Sequence, residues 1–276
     1  MTKYETLLIH KNDGITTIQL NRPEKRNAMS PTLHREMHDA LRSFEYDKET
    51  EVLVITGTDK AFSAGQDLKE YFYANKDNER DREEIQRISH EWRHQILNFY
   101  PKPTITSING YCFGGAFTIV ASSDIAIAAD EATFGLSEIN FGSIPAGVVA
   151  KAIIGEMEFR QALYYSLTGE QFNGKRSVEI GFTTMSVPLA QLQEKTLQVA
   201  QMLKGKDRHA LRATKEAFKG IDIRNLSYEE SRYWLKARLG QLTNDQKSGN
   251  WIEHGISQFI QGTYAPGKGA APKVKE

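Results

Sequence analysis

The run Val52-Leu53-Val54-Ile55-Thr56 constrains the fold of this chain more than any other segment. A strand without polar alternation is buried on both faces and needs cover above and below its sheet. Residues 105–108 and 125–129 are shorter runs of the same kind. Between such runs lies helical spacing. Met37, Leu41 and Phe44 follow Ser30-Pro31, where serine can cap and proline suits the first helical position. Strands alternating with helices predict an α/β core with at least part of its sheet parallel.

Residues 7–10 and 15–20 are β-prone runs separated by the turn-former Asn12-Asp13-Gly14, which predicts a hairpin. Asn21-Arg22-Pro23 stops the second strand, because proline cannot donate to a ladder. From about Glu156 the pattern turns mostly helical, with candidate helices over 158–167, 189–203, 211–218 and 228–242. After Tyr264, small residues and proline predict a mobile tail over 265–276.

At 276 residues the chain is long enough to bury a large core without disulfide or metal staples. Its single cysteine, Cys112, suits a reducing compartment. Thirty-five residues of each charge sign leave no global field to attract nucleic acid or a membrane. No run approaches the roughly 20 apolar residues that span a bilayer. Met1-Thr2-Lys3-Tyr4-Glu5 lacks the apolar core of a signal peptide, so cytoplasmic residence is expected.

Two motifs suggest other chemistry. His90-Glu91-Trp92-Arg93-His94 has the spacing of a helical zinc site with Glu91 as base. It sits in a charge-rich segment with no evident third ligand, so a solvated helix face is expected and no metal. His34 and His38 are read the same way. Gly169-Glu170-Gln171-Phe172-Asn173-Gly174-Lys175-Arg176 approaches a P-loop, but Arg176 replaces the hydroxyl that would hold magnesium.

Two glycine turns carry more weight. Ala61-Phe62-Ser63-Ala64-Gly65-Gln66-Asp67-Leu68 and Asn109-Gly110-Tyr111-Cys112-Phe113-Gly114-Gly115-Ala116 each follow a predicted buried strand and lead toward a helix. Amides at a helix start lack backbone partners, and the helix dipole favours negative charge there. Two such amides converging on one oxygen make an oxyanion hole.

These turns, together with Asn21-Arg22-Pro23-Glu24-Lys25-Arg26-Asn27-Ala28 and Phe134-Gly135-Leu136-Ser137-Glu138, resemble the signatures of the enoyl-CoA hydratase (crotonase) superfamily. The resemblance runs in order from about residue 5 to 260. It implies a crotonase-like spiral of β-β-α units over 1–195 and a helical trimerisation region over 196–264. It also implies a homotrimer or dimer of trimers, acting on an acyl-CoA thioester with no further cofactor. Oxyanion donors would be the amides of Gln66 and Gly115, and Glu138 would move protons. Lys25, Ala28, Ala64, Gly65, Asp67, Leu68 and Lys69 would follow the CoA moiety. Ala116, Phe117 and Gly142 would border the substrate.

Within the superfamily the chain is most similar to the hydroxycinnamoyl-CoA hydratase-lyases, which hydrate an aromatic propenoyl-CoA and cleave the product to an aldehyde and acetyl-CoA. Ordinary hydratases carry a second glutamate three residues after the oxyanion glycine. Thr118 stands there, where hydratase-lyases have serine, and could position a water or hydroxyl. Tyr71 matches a tyrosine that recognises the para-hydroxyl of the ring. Lys236 stands where those enzymes have a second tyrosine, which leaves simple enoyl-CoA hydration or thioester hydrolysis as the alternative. The retained Glu138 and glycine turns, without basic clustering, argue against a scaffold turned to RNA or protein binding.

Overall fold

The computed structural model describes residues 4–74, 78–245 and 260. Among these, one compact unit runs to Tyr100 and from Thr104 to Ala200. A second contains Pro101–Pro103 and the residues after Ala200.

The first unit begins with the expected hairpin, β1 (Leu7–Asn12) and β2 (Ile15–Leu20). Its two turn residues, Asp13 and Gly14, both have positive φ (47° and 75°), the backbone that a tight two-residue turn demands. β3 (Val52–Gly57) lies parallel to β2 and in step with it from Ile15 opposite Val52. Here the completely apolar run becomes an interior strand, with Val52, Leu53 and Ile55 fully buried.

After β3 the chain alternates between two sheets. β4 (Ala61–Ser63) enters a second sheet, β5 (Thr104–Ile108) returns to the first and β6 (Tyr111–Phe113) goes to the second. β7 (Ile125–Ala129) and β8 (Thr133–Gly135) repeat the pattern. The larger sheet has the order β1-β2-β3-β5-β7-β10, and the smaller has β4-β6-β8-β9. β9 is Gln171–Asn173 and β10 is Met185–Val187. Pairing is parallel except for β1 with β2 and β8 with β9. This is an α/β spiral of β-β-α units, the architecture the resemblance implies. The described chain after 156 is mostly helical, as expected, and is interrupted by two strands that the sequence did not mark. β9 and β10 are three residues each, too short for a period-2 signal to register.

Helices close each turn of the spiral: α1 (Pro31–Tyr46), α2 (Glu79–His90), α3 (Phe117–Ser122), α4 (Val149–Glu156), α5 (Phe159–Thr168), α6 (Gly174–Glu179) and α7 (Leu189–Lys204). α1 starts as expected, its Leu33 amide donating to Ser30 Oγ at 3.2 Å. Its buried face contains Leu33, Met37, Leu41 and Phe44, and among them the polar His34. The second unit holds α8 (Arg208–Arg224) and α9 (Tyr228–Asp245). These are joined by Trp234 Nε1 donating to the Ala217 carbonyl (3.2 Å) and by an Arg238–Glu216 ion pair (3.1 Å). The tail over 265–276, and 246–259 and 261–264 of the expected helical region, lie outside the described residues. No helix among the described residues is long and apolar enough to cross a membrane.

The segment between β2 and α1 is held by two buried polar side chains. Asn27 donates to the carbonyls of Thr58 (3.0 Å) and Ala61 (2.8 Å) and accepts from the Arg22 amide (2.8 Å). The Arg22 guanidinium donates to the Ala28 carbonyl and pairs with Asp67 (3.0 Å) and Glu70 (2.6 Å). Burial alone would raise the Asp67 carboxyl. The Glu70 amide, Arg22 and the Lys69 amide outweigh it and hold the group below its ordinary value. A depressed carboxylate contributes stability that is present at neutral pH and lost as pH falls through the folded-state value. Asp67→Asn should therefore cost about 1–3 kcal/mol at neutral pH. Urea unfolding of wild type and variant should show the gap closing in strong acid; an undiminished gap there would refute this account.

Candidate active site

The two glycine turns meet. Gly65 follows β4 with φ +86°, and a Cβ placed on it would lie 2.6 Å from the Phe113 carbonyl oxygen and 3.2 Å from the Gly115 nitrogen. Only a residue without a side chain permits that approach. The Met29 amide donates to the Gly65 carbonyl (2.7 Å) and the Asp67 amide to the Met29 carbonyl (3.1 Å). In this parallel bridge the groups flanking Gln66 are used, so the N–H of Gln66 itself faces away from Met29. Gly115 is the second residue of a 3-10 turn, Gly114–Ala116, that runs into α3, and its N–H precedes the first intrahelical bond. Both expected oxyanion donors thus stand in adjacent turns beside one cavity.

That cavity measures about 1100 Å³. Apolar groups dominate its wall, with Leu68, Tyr71, Phe72, Phe141, Ile144 and Val148 among them. Among the described residues that line it, Glu138 is the only carboxylate. Glu138 sits on a short 3-10 turn, Ser137–Phe141, that follows β8 and is ended by Gly142 in the left-handed conformation. Its Oε1 would lie 3.1 Å from a Cβ on Gly114, so the acid abuts the oxyanion turn. Its Oε2 is buried without a hydrogen-bond partner among the described residues. Burial raises the carboxyl above its ordinary value of 4.5, only partly offset by its own backbone amide. A carboxyl raised in this way can take and return protons near neutral pH.

Behind the turns runs a buried polar chain. Trp92 Nε1 donates to His34 Nδ1 (2.9 Å), so the proton of the neutral imidazole lies on Nε2 and is donated to Gln66 Oε1 (2.7 Å). Burial first, and then the Arg93 charge, lower the His34 pKa to about 3, which keeps the ring neutral. Ser89 Oγ accepts from Gln66 Nε2 (3.4 Å) and from Arg93 Nη2 (2.7 Å). Arg93 Nη1 donates to the Gly115 carbonyl (3.2 Å) and to Thr118 Oγ1 (3.0 Å). The side chain of Gln66 and the backbone of Gly115 are therefore tied through one network.

Of the residues singled out by sequence, Ala64, Gly65, Gln66, Leu68, Tyr71, Gly115 and Glu138 line the cavity. Others do not. Thr118 is fully buried beneath the turn, its hydroxyl donating to the Gly115 carbonyl (2.7 Å). Its place is behind the wall, where it shapes the turn instead of touching a water in the cavity. Phe117 stacks on Phe182 (4.7 Å between ring centres) and meets Phe134 and Phe172, so it belongs to the aromatic core. Ala116 and Ala28 are likewise buried outside the lining. Asp67 caps the π-helical turn Leu68–Tyr73 and pairs with Arg22, while Lys25 and Lys69 are exposed and outside the cavity wall. Gly142 is exposed and shapes the Glu138 turn. Lys236 lies exposed on α9 in the second unit.

His90 and His94 do share a helical face, with ring centres 5.2 Å apart. Glu91 is instead engaged by His38, Arg42 and Arg87. No group of three or more metal-capable side chains gathers among the described residues. The cavity residue that sequence reasoning passed over, Arg93, lies inside this motif. Trp92 and Arg93 are buried, on the same helical stripe as Ile85, Ser89 and Ile96. An arginine on an otherwise inward stripe was the available signal.

A β-β-α spiral whose Gly65–Gln66 and Gly114–Gly115 turns meet beside a half-buried carboxylate is the arrangement expected of a crotonase-type protein. Residues 10–260 match the model of the enoyl-CoA hydratase/isomerase family, and the chain belongs to that family of enzymes. A hydroxycinnamoyl-CoA hydratase-lyase of Pseudomonas fluorescens is 46% identical over 260 residues, covering 94% of this chain and 93% of its own. A mitochondrial enoyl-CoA hydratase of Pongo abelii is 31% identical over 87% of this chain and 80% of its own. The solved structure of an enoyl-CoA hydratase from Shewanella pealeana has a TM-score of 0.82, covering 99% of this chain and 97% of its own. At 24% identity it speaks for the fold alone.

Gly114 tests the site directly. Its φ of +49° strains any side chain, and a Cβ there would crowd Glu138 Oε1 at 3.1 Å, so the acid would have to move. Gly114→Ala should lose about 1–2 kcal/mol of stability from the left-handed backbone. Turnover of its acyl-CoA substrate should fall about a hundredfold as the acid is displaced. Activity that falls no more than the fraction unfolded would contradict this geometry.

Proposed function

We propose that the protein is a hydratase-lyase for an aromatic enoyl-CoA such as 4-coumaroyl-CoA or feruloyl-CoA. The observation that carries the reading is Glu138, the one cavity carboxylate among the described residues, with Thr118 three residues after Gly115. The 46% identity to a hydroxycinnamoyl-CoA hydratase-lyase supports it. Water adds across the conjugated double bond, and the electron pair moves onto the thioester oxygen held by the Gln66 and Gly115 amides. Loss of one such donor costs about 3–4 kcal/mol, which sets the scale of their contribution. Glu138 takes the proton from water and returns it to the α-carbon. It then takes the proton of the new β-hydroxyl. The Cα–Cβ bond breaks, its electrons re-form the enolate, and the aldehyde leaves. Protonation of that enolate gives acetyl-CoA. Atoms and charge balance without a metal, nucleotide or any cofactor other than the CoA of the substrate.

In this reading Tyr71, buried and on the cavity wall, meets the ring hydroxyl, since an unmatched buried polar group is costly. The CoA moiety passes Ala64, Gly65 and Leu68, with Lys25 and Lys69 near its charged end. The enzyme works in the cytoplasm as a trimer or dimer of trimers. Lys236 in place of a second tyrosine favours a second reading, hydration without carbon–carbon cleavage.

Purified protein mixed with feruloyl-CoA, without metal or nucleotide, should bleach the conjugated thioester band and release aldehyde in equal amount. Accumulation of the β-hydroxy thioester without aldehyde would favour the second reading, and turnover of crotonyl-CoA alone would refute the first. Glu138→Gln should abolish turnover while leaving CoA affinity nearly intact. Because the carboxyl is raised and acts first as a base, kcat/KM should fall as pH drops through a value above 4.5. An acid limb below that value would exclude Glu138 as the base.

A further inference from the structure

Arg93 is a buried cation without a carboxylate. Its side chain comes from the π-helical turn Glu91–Ile96 and is 7% exposed, yet no acidic residue pairs with it among the described residues. Four donated bonds fix it. Nε reaches the Ser89 carbonyl (3.0 Å), Nη2 the Ser89 hydroxyl, and Nη1 both the Gly115 carbonyl and the Thr118 hydroxyl. A guanidinium has five N–H donors, so one on Nη2 is left, and the residue lines the cavity. A Cβ on Gly115 would lie 3.3 Å from Nη1, which puts the charge directly against the oxyanion turn.

The other titratable groups around it do not neutralise it. His34 and His94 are held neutral by burial, with the Arg93 charge as the next cause, and Tyr71 is a phenol. The guanidinium itself stays protonated at neutral pH, since burial lowers it only to about 10. Leaving a charge buried and unpaired is expensive for the resting fold. That cost is offset once an anion forms nearby, and in a water-poor site the attraction is far stronger than in solvent.

We propose that Arg93 is the counter-charge of the reaction, a fixed cation behind Gly115 that favours the enolate over the neutral thioester and holds the Gly115 turn in its donor position. Thr118, three residues after Gly115, is neutral and bonded to Arg93, so the charge at that wall is the guanidinium's alone among the described residues. The inference rests on the reading that an enolate forms at the Gln66 and Gly115 amides, but not on the aromatic ring of the substrate. Arg93 is a positioning residue in this role, since it acts through Gly115 and through its charge.

Acetoacetyl-CoA tests it without turnover, because its enolate has its own near-ultraviolet band. Bound to the wild-type protein, it should ionise at lower pH than in water. Arg93→Gln should move that ionisation up by about one unit or more, a tenfold weaker preference for the anion, with Arg93→Lys in between. Affinity for butyryl-CoA, which stays neutral, should change by less than about threefold. Equal ionisation in wild type and Arg93→Gln would overturn the proposal. So would a loss of butyryl-CoA affinity matching the loss of enolate preference, which marks a merely structural role. Should Arg93→Gln fail to fold, wild type and Arg93→Lys still decide: no depression in wild type, or none lost in the lysine variant, overturns it. A protein that binds neither thioester fails the wider functional reading as well.

Discussion

The contact between the Gly65 turn and the Phe113–Gly115 turn is the constraint on which the rest of the site depends. Each turn follows a short strand of the smaller sheet, β4 or β6, and those strands pair in parallel. Sheet pairing brings the turns side by side, and the missing side chain at Gly65 lets backbone touch backbone. β8 pairs with β6 in the same sheet and delivers Glu138 to the other side of Gly114. Three successive strands of one sheet thus deliver an amide, a second amide and an acid in strand order.

Backbone placement alone would leave those turns free to breathe. The chain from Trp92 through His34, Gln66, Ser89 and Arg93 to Gly115 restrains them from behind. Its hydrogen-bond directions are mutually consistent. The indole must donate, which fixes the imidazole tautomer, which in turn fixes the amide face of Gln66. A fully satisfied buried network rigidifies its surroundings, whereas a broken link leaves a costly unpaired group. His34, Ser89 and Trp92 therefore serve the site from behind its wall, whereas Arg93 also lines the cavity.

What could be read from sequence follows from the length of each signal. The long apolar run at Val52, the Asp13-Gly14 hairpin and the helices near 159, 189, 208 and 228 were legible because five or more residues repeat one pattern. β4, β6, β8, β9 and β10 were not, since three residues show no period. The site divides in the same way. Gln66, Gly115, Glu138 and Tyr71 lie in segments whose glycines and family likeness mark them, and the structure gathers all four around one cavity. Thr118 and Phe117 share such a segment but point into the protein interior, because helical spacing alternates faces within four residues. Arg93 and His34 were hidden inside motifs that suggested a metal, although burial on an apolar stripe was the better guide.

The distribution of charge explains how one carboxylate can suffice. Glu138 and Arg93 line the same cavity, yet burial raises the acid and its own backbone amide is what partly offsets the rise. Were the two paired directly, the carboxylate would be depressed and too weak a base for water. Keeping the cation on the far side of Gly115 avoids that. The field then acts where the proposed reaction gathers its negative charge, at the thioester oxygen, while the acid keeps its proton affinity. A second carboxylate at residue 118 would oppose the same enolate and would pair with Arg93. Thr118, neutral and bonded to the Gly115 carbonyl, does neither, and in the proposed reaction the separation of acid from cation lets one group serve as base and then as acid.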